Sequence, residues 1–80
     1  MSKEKVKELK KRIEALIIIG IPKELEAYEF YIELAERADD PPSKEMFMFL
    51  AKQELTHRDL LEKMLKELQN SLEEELKMPK

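Results

Sequence analysis

Residues 39–43 of the chain read DDPPS, and this short stretch decides how the rest of the sequence folds. A residue that precedes proline is disfavoured in the α-helical conformation, so a helix should end before it. Aspartate is a good N-cap and proline suits the first helical position, so a new helix should begin here. The stretch therefore predicts a helix that ends near Ala38, a tight turn, and a second helix from Pro41 or Pro42 to about Gln69.

The first helix carries a weaker break signal at Gly20-Ile21-Pro22, because the proline removes one backbone hydrogen bond and should kink or interrupt a helix. The helical spacing of the residues expected to face the second helix, which we call the seam, nevertheless continues across this point. The residues that follow this spacing are Ile17, Ile21, Glu24, Tyr28, Tyr31, Ala35 and Ala38. We therefore predict one kinked helix over residues 3–38, with two separate helices as the alternative.

The tail of the chain, residues 70–80, has its own helix signal. Ser71 and Glu74 have the spacing of a capping box, and Leu72 and Leu76 follow four residues apart. This pattern predicts a short C-terminal helix or a helical extension. The last three residues, Met78-Pro79-Lys80, are expected to fray.

The composition indicates one all-α domain over residues 1–80, with its core in residues 17–69. The chain has one glycine and four prolines, and β-branched residues form a run only at Ile17-Ile18-Ile19, so strand signals are missing. Charged residues make up 41 % of the chain with a net charge of −3, and no basic face stands out. This balance argues against nucleic acid as the partner.

The remaining composition limits where the protein works. Apolar runs such as residues 15–19 are far too short to span a membrane, so we expect no membrane partner. The chain has no cysteine, which excludes disulfides and cysteine-ligated zinc or iron and is compatible with a cytoplasmic protein. The high charge and the scarcity of amide side chains favour a thermophile as the source.

Two ionisable side chains interrupt the apolar seam of the second helix. Its coiled-coil spacing runs through Phe47, Leu50, Glu54, His57, Leu61, Met64 and Leu68. Glu54 and His57 are three residues apart on one helical face, and His57 is the only histidine. Burying both costs several kcal/mol unless something compensates, and a metal ion compensates both at once. The alternative is a buried Glu–His hydrogen bond that fixes the register of the helices.

Glu24 is a third ionisable residue at a seam position, on the first helix. Counted from a turn at about residue 40, Glu24 lies about 16 residues along its helix, and Glu54 and His57 lie about 14 and 17 along theirs. All three should therefore meet at one level of the hairpin.

One helical hairpin is too small to cover its own apolar side chains. Those outside the seam include Leu25, Phe30, Ile32, Leu34, Met46, Met48, Phe49 and Leu55. We therefore expect a homo-oligomer, either a dimer that forms a four-helix bundle or a larger ring. A symmetric dimer would supply two copies each of Glu24, Glu54 and His57, enough for two metals. Oxygen-rich ligands with one imidazole per metal suit iron or manganese.

Residues 23–31, KELEAYEFY, and residues 39–57, DDPPSKEMFMFLAKQELTH, resemble one repeat of a rubrerythrin-type ferritin-like domain. They are also similar to the compact ferritin-like proteins packaged in encapsulin shells. The resemblance implies Glu24 as a terminal or chelating iron ligand, Glu54 as the bridge and His57 as the nitrogen ligand. It also implies that Tyr31 donates its phenol to a ligating carboxylate; the alternative is a core aromatic.

The resemblance also has limits along this chain. Full rubrerythrins carry two repeats and a cysteine-ligated iron domain, which this chain lacks, and residues after Gln69 show no convincing shell-targeting peptide. Tyr28 is expected to be plain core, and Glu26 and Glu29 to be solvated, with an iron-entry route as a further hypothesis for Glu26.

The leading functional hypothesis is a di-iron protein that oxidises Fe(II) with O2 or peroxide, as a ferroxidase or as a rubrerythrin-like peroxidase. The alternative is a helical homo-oligomeric interaction module in which Glu24, Glu54 and His57 form only a buried polar network. A third interpretation is a structural zinc or calcium site without redox activity.

Overall fold

The computed structural model describes residues 3–77, and this part of the chain is helical except for a short turn. Helix α1 covers Lys3–Ala15, a π-helical turn covers Leu16–Gly20, α2 covers Ile21–Arg37, and α3 covers Pro41–Lys77. The predicted all-α hairpin is confirmed. The expected fraying of Met78-Pro79-Lys80 falls outside the described residues.

The hairpin turn has the predicted chemistry. Ala38 leaves the helical conformation with φ −71° and ψ 134°. Asp40 then caps α3, because its Oδ2 accepts a hydrogen bond of 3.0 Å from the backbone N–H of Ser43. The hydrogen bonds that Ser43 donates, from its side chain first and then from its backbone, hold the pKa of Asp40 below its ordinary value. The second helix therefore begins at Pro41, within the predicted pair of positions.

The interruption of the first helix takes a form that the sequence did not predict. The backbone N–H of Ile21 bonds to the carbonyl of Leu16, five residues back, and the chain keeps helical dihedral angles at Ala15 and Gly20. A proline ring collides with the carbonyl four residues before it in a regular α-helix. Pro22 would meet the carbonyl of Ile18 in this way, and the wider π turn relieves the collision. The predicted kink at Pro22 is thus a π turn immediately before it.

Of the two alternatives for the tail, the helical extension is confirmed and the separate short helix is wrong, because α3 continues without a break to Lys77. The second helix therefore runs past its predicted end near Gln69. Helix α1 runs back along the far half of α3 and gives that half a surface to pack on. An ion pair of 3.2 Å joins Lys5 Nζ to Glu75 Oε2, and the Glu75 side chain is only 8 % exposed. Ser71 and Glu74, which have the spacing of a capping box, therefore lie inside α3 and cap no helix N-terminus.

The hairpin is a thin rod that leaves many large apolar side chains exposed. It measures 63 × 15 × 11 Å and has a radius of gyration of 18.0 Å, whereas a compact chain of this length would have about 12 Å. Its accessible surface is 6500 Å², against about 5,000 Å² for a compact monomer of this mass. Among residues 3–77 the buried apolar side chains are Leu9, Ala35 and Ala51. No helix in this part of the chain is long and apolar enough to cross a membrane.

Leu9 is the side chain that attaches α1 to the rest of the hairpin, since it is the buried residue of that helix. We predict that Leu9→Ala destabilises the protein by about 2–4 kcal/mol through lost burial and a residual cavity. Leu76→Ala, at a position that is 62 % exposed, is the matched control and should change stability by less than about 0.5 kcal/mol. Urea unfolding followed by circular dichroism measures both; equal effects would contradict the attachment.

Candidate metal centre

Glu24, Glu54 and His57 meet halfway along the hairpin. Nδ1 of His57 lies 3.5 Å from Oε2 of Glu24 on α2 and 3.5 Å from Oε1 of Glu54 on its own helix. One ligand atom from each of the three residues lies within 4.8 Å of the others. The predicted convergence at one level is confirmed, although the role of these residues as metal ligands stays a prediction.

The three side chains differ in how far the single chain covers them. The carboxylates of Glu24 and Glu54 are 24 % and 18 % exposed, whereas the imidazole of His57 is 51 % exposed. Met64, two turns further along α3, is also about half exposed. The prediction that His57 and Met64 are buried in the seam is therefore wrong for the single chain. Both lie at the edge of the seam, because a two-helix layer covers only one side of α3.

The electrostatics of the cluster are dominated by its two carboxyl groups. A hydrogen bond with Glu54, then partial burial, then repulsion from the Glu54 charge raises the pKa of Glu24 above its ordinary value. The nearby His57 opposes this rise without cancelling it. Glu24 therefore keeps its proton to a higher pH than an ordinary glutamate does.

The donor atoms of the cluster satisfy one another poorly and are suited to a divalent cation. Oε2 of Glu24 is buried and has no hydrogen-bond partner, although it lies 3.5 Å from the His57 nitrogen. An unsatisfied buried oxygen is costly, and a cation would satisfy it. Two carboxylates and one imidazole are hard-to-borderline ligands that suit iron or manganese. If these three donors from one chain held a metal, they would leave coordination positions open for a second copy or for a substrate.

Tyr31 is half-buried on α2, and its ring packs edge-on against Phe30 with a centroid distance of 5.5 Å. Within residues 3–77 its hydroxyl makes no hydrogen bond to Glu24 or to Glu54, so its role beside a bound metal stays a prediction.

The neighbours of Tyr31 follow the remaining expectations for this helix. Tyr28 is half-buried, whereas Glu26 and Glu29 are exposed, as expected for one core residue and two solvated residues. The proposed role of Glu26 at an iron-entry route is not tested by its position.

Arg58 is a charged residue near the cluster that the sequence analysis overlooked. It follows His57, its side chain is 32 % exposed, and its Nε is buried without a hydrogen-bond partner. The terminal nitrogen instead reaches Oδ1 of Asp59 at 3.2 Å. The signal in the sequence was the spacing of four residues from Glu54, which puts this cation on the same side of α3 as the cluster.

Comparison with known proteins identifies the family. Residues 16–80 match the family model described as Rubrerythrin, which covers everything after α1. No curated protein and no solved structure matches the chain. The match begins at the first residue of the π turn, so the helix Lys3–Ala15 lies outside it.

The raised pKa of Glu24 predicts that its ionised carboxylate destabilises the metal-free fold. Because the pKa of Glu24 is raised in the folded chain, the stability linked to its proton is present at low pH and is lost as the pH rises through that pKa. Glu24→Gln, which keeps a neutral side chain there, should raise the melting temperature of the metal-free protein at pH 7. For a domain of this size the rise is about 4–8 °C per kcal/mol relieved.

The control for this measurement is Glu26→Gln, which removes the same charge from an exposed position two residues away. Thermal unfolding in the presence of a chelator should show a larger gain for Glu24→Gln at pH 7, and the gain should shrink as Glu24 becomes protonated in acid. Equal melting temperatures of the two variants at pH 7 would contradict the repulsion.

Proposed function

The chain belongs to the rubrerythrin family, and from this membership we propose that two copies build one di-iron carboxylate site between them. The proposed activity is the oxidation of Fe(II) by O2 or peroxide, either for iron handling or for peroxide removal. The observation that carries the proposal is the cluster of Glu24, Glu54 and His57, whose donor atoms lie within 4.8 Å of one another.

The composition of the cluster supports a shared site. Carboxylate-bridged di-iron bundles use one Glu from each of two helices and a Glu-x-x-His from each of the other two. One hairpin carries half of that set, with Glu24 on α2 and the Glu54/His57 pair on α3. A second copy related by a two-fold axis supplies the other half.

The exposed surface of the hairpin supports association at the same place. The single chain exposes about 1,500 Å² more than a compact monomer of its mass, when its 6500 Å² is compared with the expected area. A standard interface buries about 800 Å² on each partner, so this excess is ample for a stable dimer. The half-exposed imidazole of His57 would be covered in such a dimer.

The side chains of the cluster would divide the work of binding between them. Ionised Glu24 and Glu54 supply negative charge for the cations, and neutral His57 supplies a nitrogen ligand. Bound iron supplies the electrons with which O2 or peroxide is reduced. The carboxylates would hold the cations, and half-buried Leu61, one helical turn after His57, would be an apolar neighbour of the bound group. Manganese fits the same ligands.

We predict that an anaerobic Fe(II) titration saturates at about one iron per chain, in even-numbered oligomers seen by native mass spectrometry. Glu54→Ala and His57→Ala should each weaken iron binding by about a hundredfold or more, because each removes a ligand. Glu29→Ala, at an exposed position on α2, is the control and should bind as the unmodified protein does.

The same titration separates the competing functions. Uptake that is unchanged in His57→Ala would remove the metal hypothesis and leave the interaction module, which the large exposed apolar surface favours. Binding of zinc or calcium without consumption of O2 or peroxide would indicate a structural site instead. Consumption of O2 or peroxide by the iron-loaded protein would establish the oxidase activity.

Iron affinity should also depend on pH. Binding requires ionised glutamates and a neutral imidazole, and the raised pKa of Glu24 makes proton competition stronger than for an ordinary glutamate. We predict that the affinity falls steeply between about pH 7 and pH 5, measured by competition with a chelator of known pH dependence. A flat profile over this range would contradict ligation by His57.

A further inference from the structure

One side of the hairpin exposes large apolar side chains around the metal cluster. Met46, Leu60 and Met64 on α3 and Phe30 on α2 are between 49 and 60 % exposed, and half-exposed His57 lies among them. We call these five residues the docking face.

The members of the docking face share one side because of how antiparallel helices pack. Positions that immediately precede the buried seam on each of two antiparallel helices lie on the same side of the pair. Phe30 precedes the half-buried Tyr31 on α2, and Leu60 precedes the half-buried Leu61 on α3. Phe30 and Leu60 therefore lie on the same side of the hairpin.

An apolar groove opens at one end of the docking face. It lies between α1, the π turn and α3, has a volume of about 440 Å³, and is lined by residues that include Ala15, Leu16, Ile19, Met64 and Leu68. Met64 belongs both to the groove and to the docking face, so the groove opens on the same side.

Phe30 and the groove lie at mirrored distances from the metal cluster. The groove residues Met64 and Leu68 follow His57 by 7 and 11 residues on α3, which is about 11–16 Å along the helix. Counting 7 and 11 residues back from His57 toward the hairpin turn gives residues 50 and 46 of α3. Phe30 lies on α2 at the same level of the hairpin as residues 46–50. A two-fold axis through the cluster and perpendicular to the helices therefore brings Phe30 of one copy opposite the groove of the other.

We propose that the groove between α1, the π turn and α3 binds Phe30 of a second copy, so that the protein forms an antiparallel dimer with two such insertions. The proposal rests on the proposed shared site only for the position of the two-fold axis. An aromatic side chain that fills an apolar pocket is the usual anchor of a protein interface. A two-fold axis parallel to the helices would instead give a parallel dimer. The grooves of the two copies would then lie at the same level as each other, and so would the two Phe30 side chains, so that no Phe30 would meet a groove.

The charges of the two halves favour the antiparallel arrangement. Residues 21–57, which surround the hairpin turn, contain nine acidic and four basic side chains, a net charge of −5. The rest of the chain contains nine acidic and eleven basic side chains, a net charge of +2. An antiparallel dimer sets the acidic half of each copy against the more basic half of the other, and such complementarity fixes orientation.

Helix α1, which lies outside the residues that match the family, has a role in the proposed dimer. This helix lies before the matched residues 16–80, yet Ala15 at its end lines the groove together with the π turn. The α1 helix thus forms one wall of the site that receives the partner.

A photo-crosslinking experiment on the full chain tests this docking. A benzophenone-bearing phenylalanine analogue replaces Phe30, and isotopically light and heavy chains are mixed so that links between copies can be recognised by mass spectrometry. We expect links between copies from position 30 to residues 12–20 and 64–68. The same analogue at Leu25, an exposed residue on the other side of the seam in α2, is the control and should give no links between copies to these residues. Links from position 30 to the hairpin turn of the other copy, or no links between copies, would overturn the proposal.

Sedimentation equilibrium supplies a second measurement, on a variant that lacks the aromatic ring of residue 30. Phe30→Ala should weaken dimerisation by about a hundredfold, because both symmetric grooves lose their aromatic occupant, while the helical circular dichroism stays unchanged. Leu25→Ala should weaken dimerisation by less than about threefold. Equal effects of the two variants would overturn the proposal.

Both experiments are carried out with a chelator present, so that their outcome does not depend on iron. Docking without iron uptake would leave the Phe30 contact in place and remove the proposed function. Iron uptake at one ion per chain without the Phe30 contacts would do the reverse.

Discussion

Two carboxyl groups held beside each other at the centre of the hairpin are the constraint on which the other features depend. Glu24 and Glu54 are mostly covered by the helix pair, and their hydrogen bond, partial burial and mutual repulsion raise the pKa of Glu24. Ionising Glu24 therefore costs stability in the metal-free fold, and a bound cation would offset that cost. The nitrogen of His57, 3.5 Å from both, completes a set of donors for a cation.

The second constraint is that this cluster lies at the edge of an open layer. Two helices cover one side of α3 and leave the imidazole of His57 half exposed on the other. The large apolar side chains around His57 are exposed for the same reason, because no second layer lies over them. The candidate metal cluster and the exposed apolar surface therefore lie on the same side of α3. In the proposed dimer, a second copy would cover that surface and bring its own donor atoms to the cluster.

Much of the fold was predictable from local chemistry. The residues of DDPPS specify the end of α2 and the start of α3 through proline sterics and the Asp40 cap, and helix counting from this turn was enough to bring Glu24 level with His57. The π turn was not predictable, because a proline signals an interruption without specifying its form. The continuation of α3 to Lys77 depends on packing against α1, a contact between distant parts of the sequence.

The exposure of His57 shows why pattern alone could not describe the site completely. The heptad spacing assigns His57 and Met64 to the same seam as Glu54, but a seam between two helices is narrow, and positions at its edge are covered only when a third helix arrives. Residues that fit a seam by spacing yet remain exposed in the single chain thus mark the side of α3 that the hairpin leaves uncovered. In the proposed dimer, the second copy would cover this side, next to the half-exposed imidazole of His57.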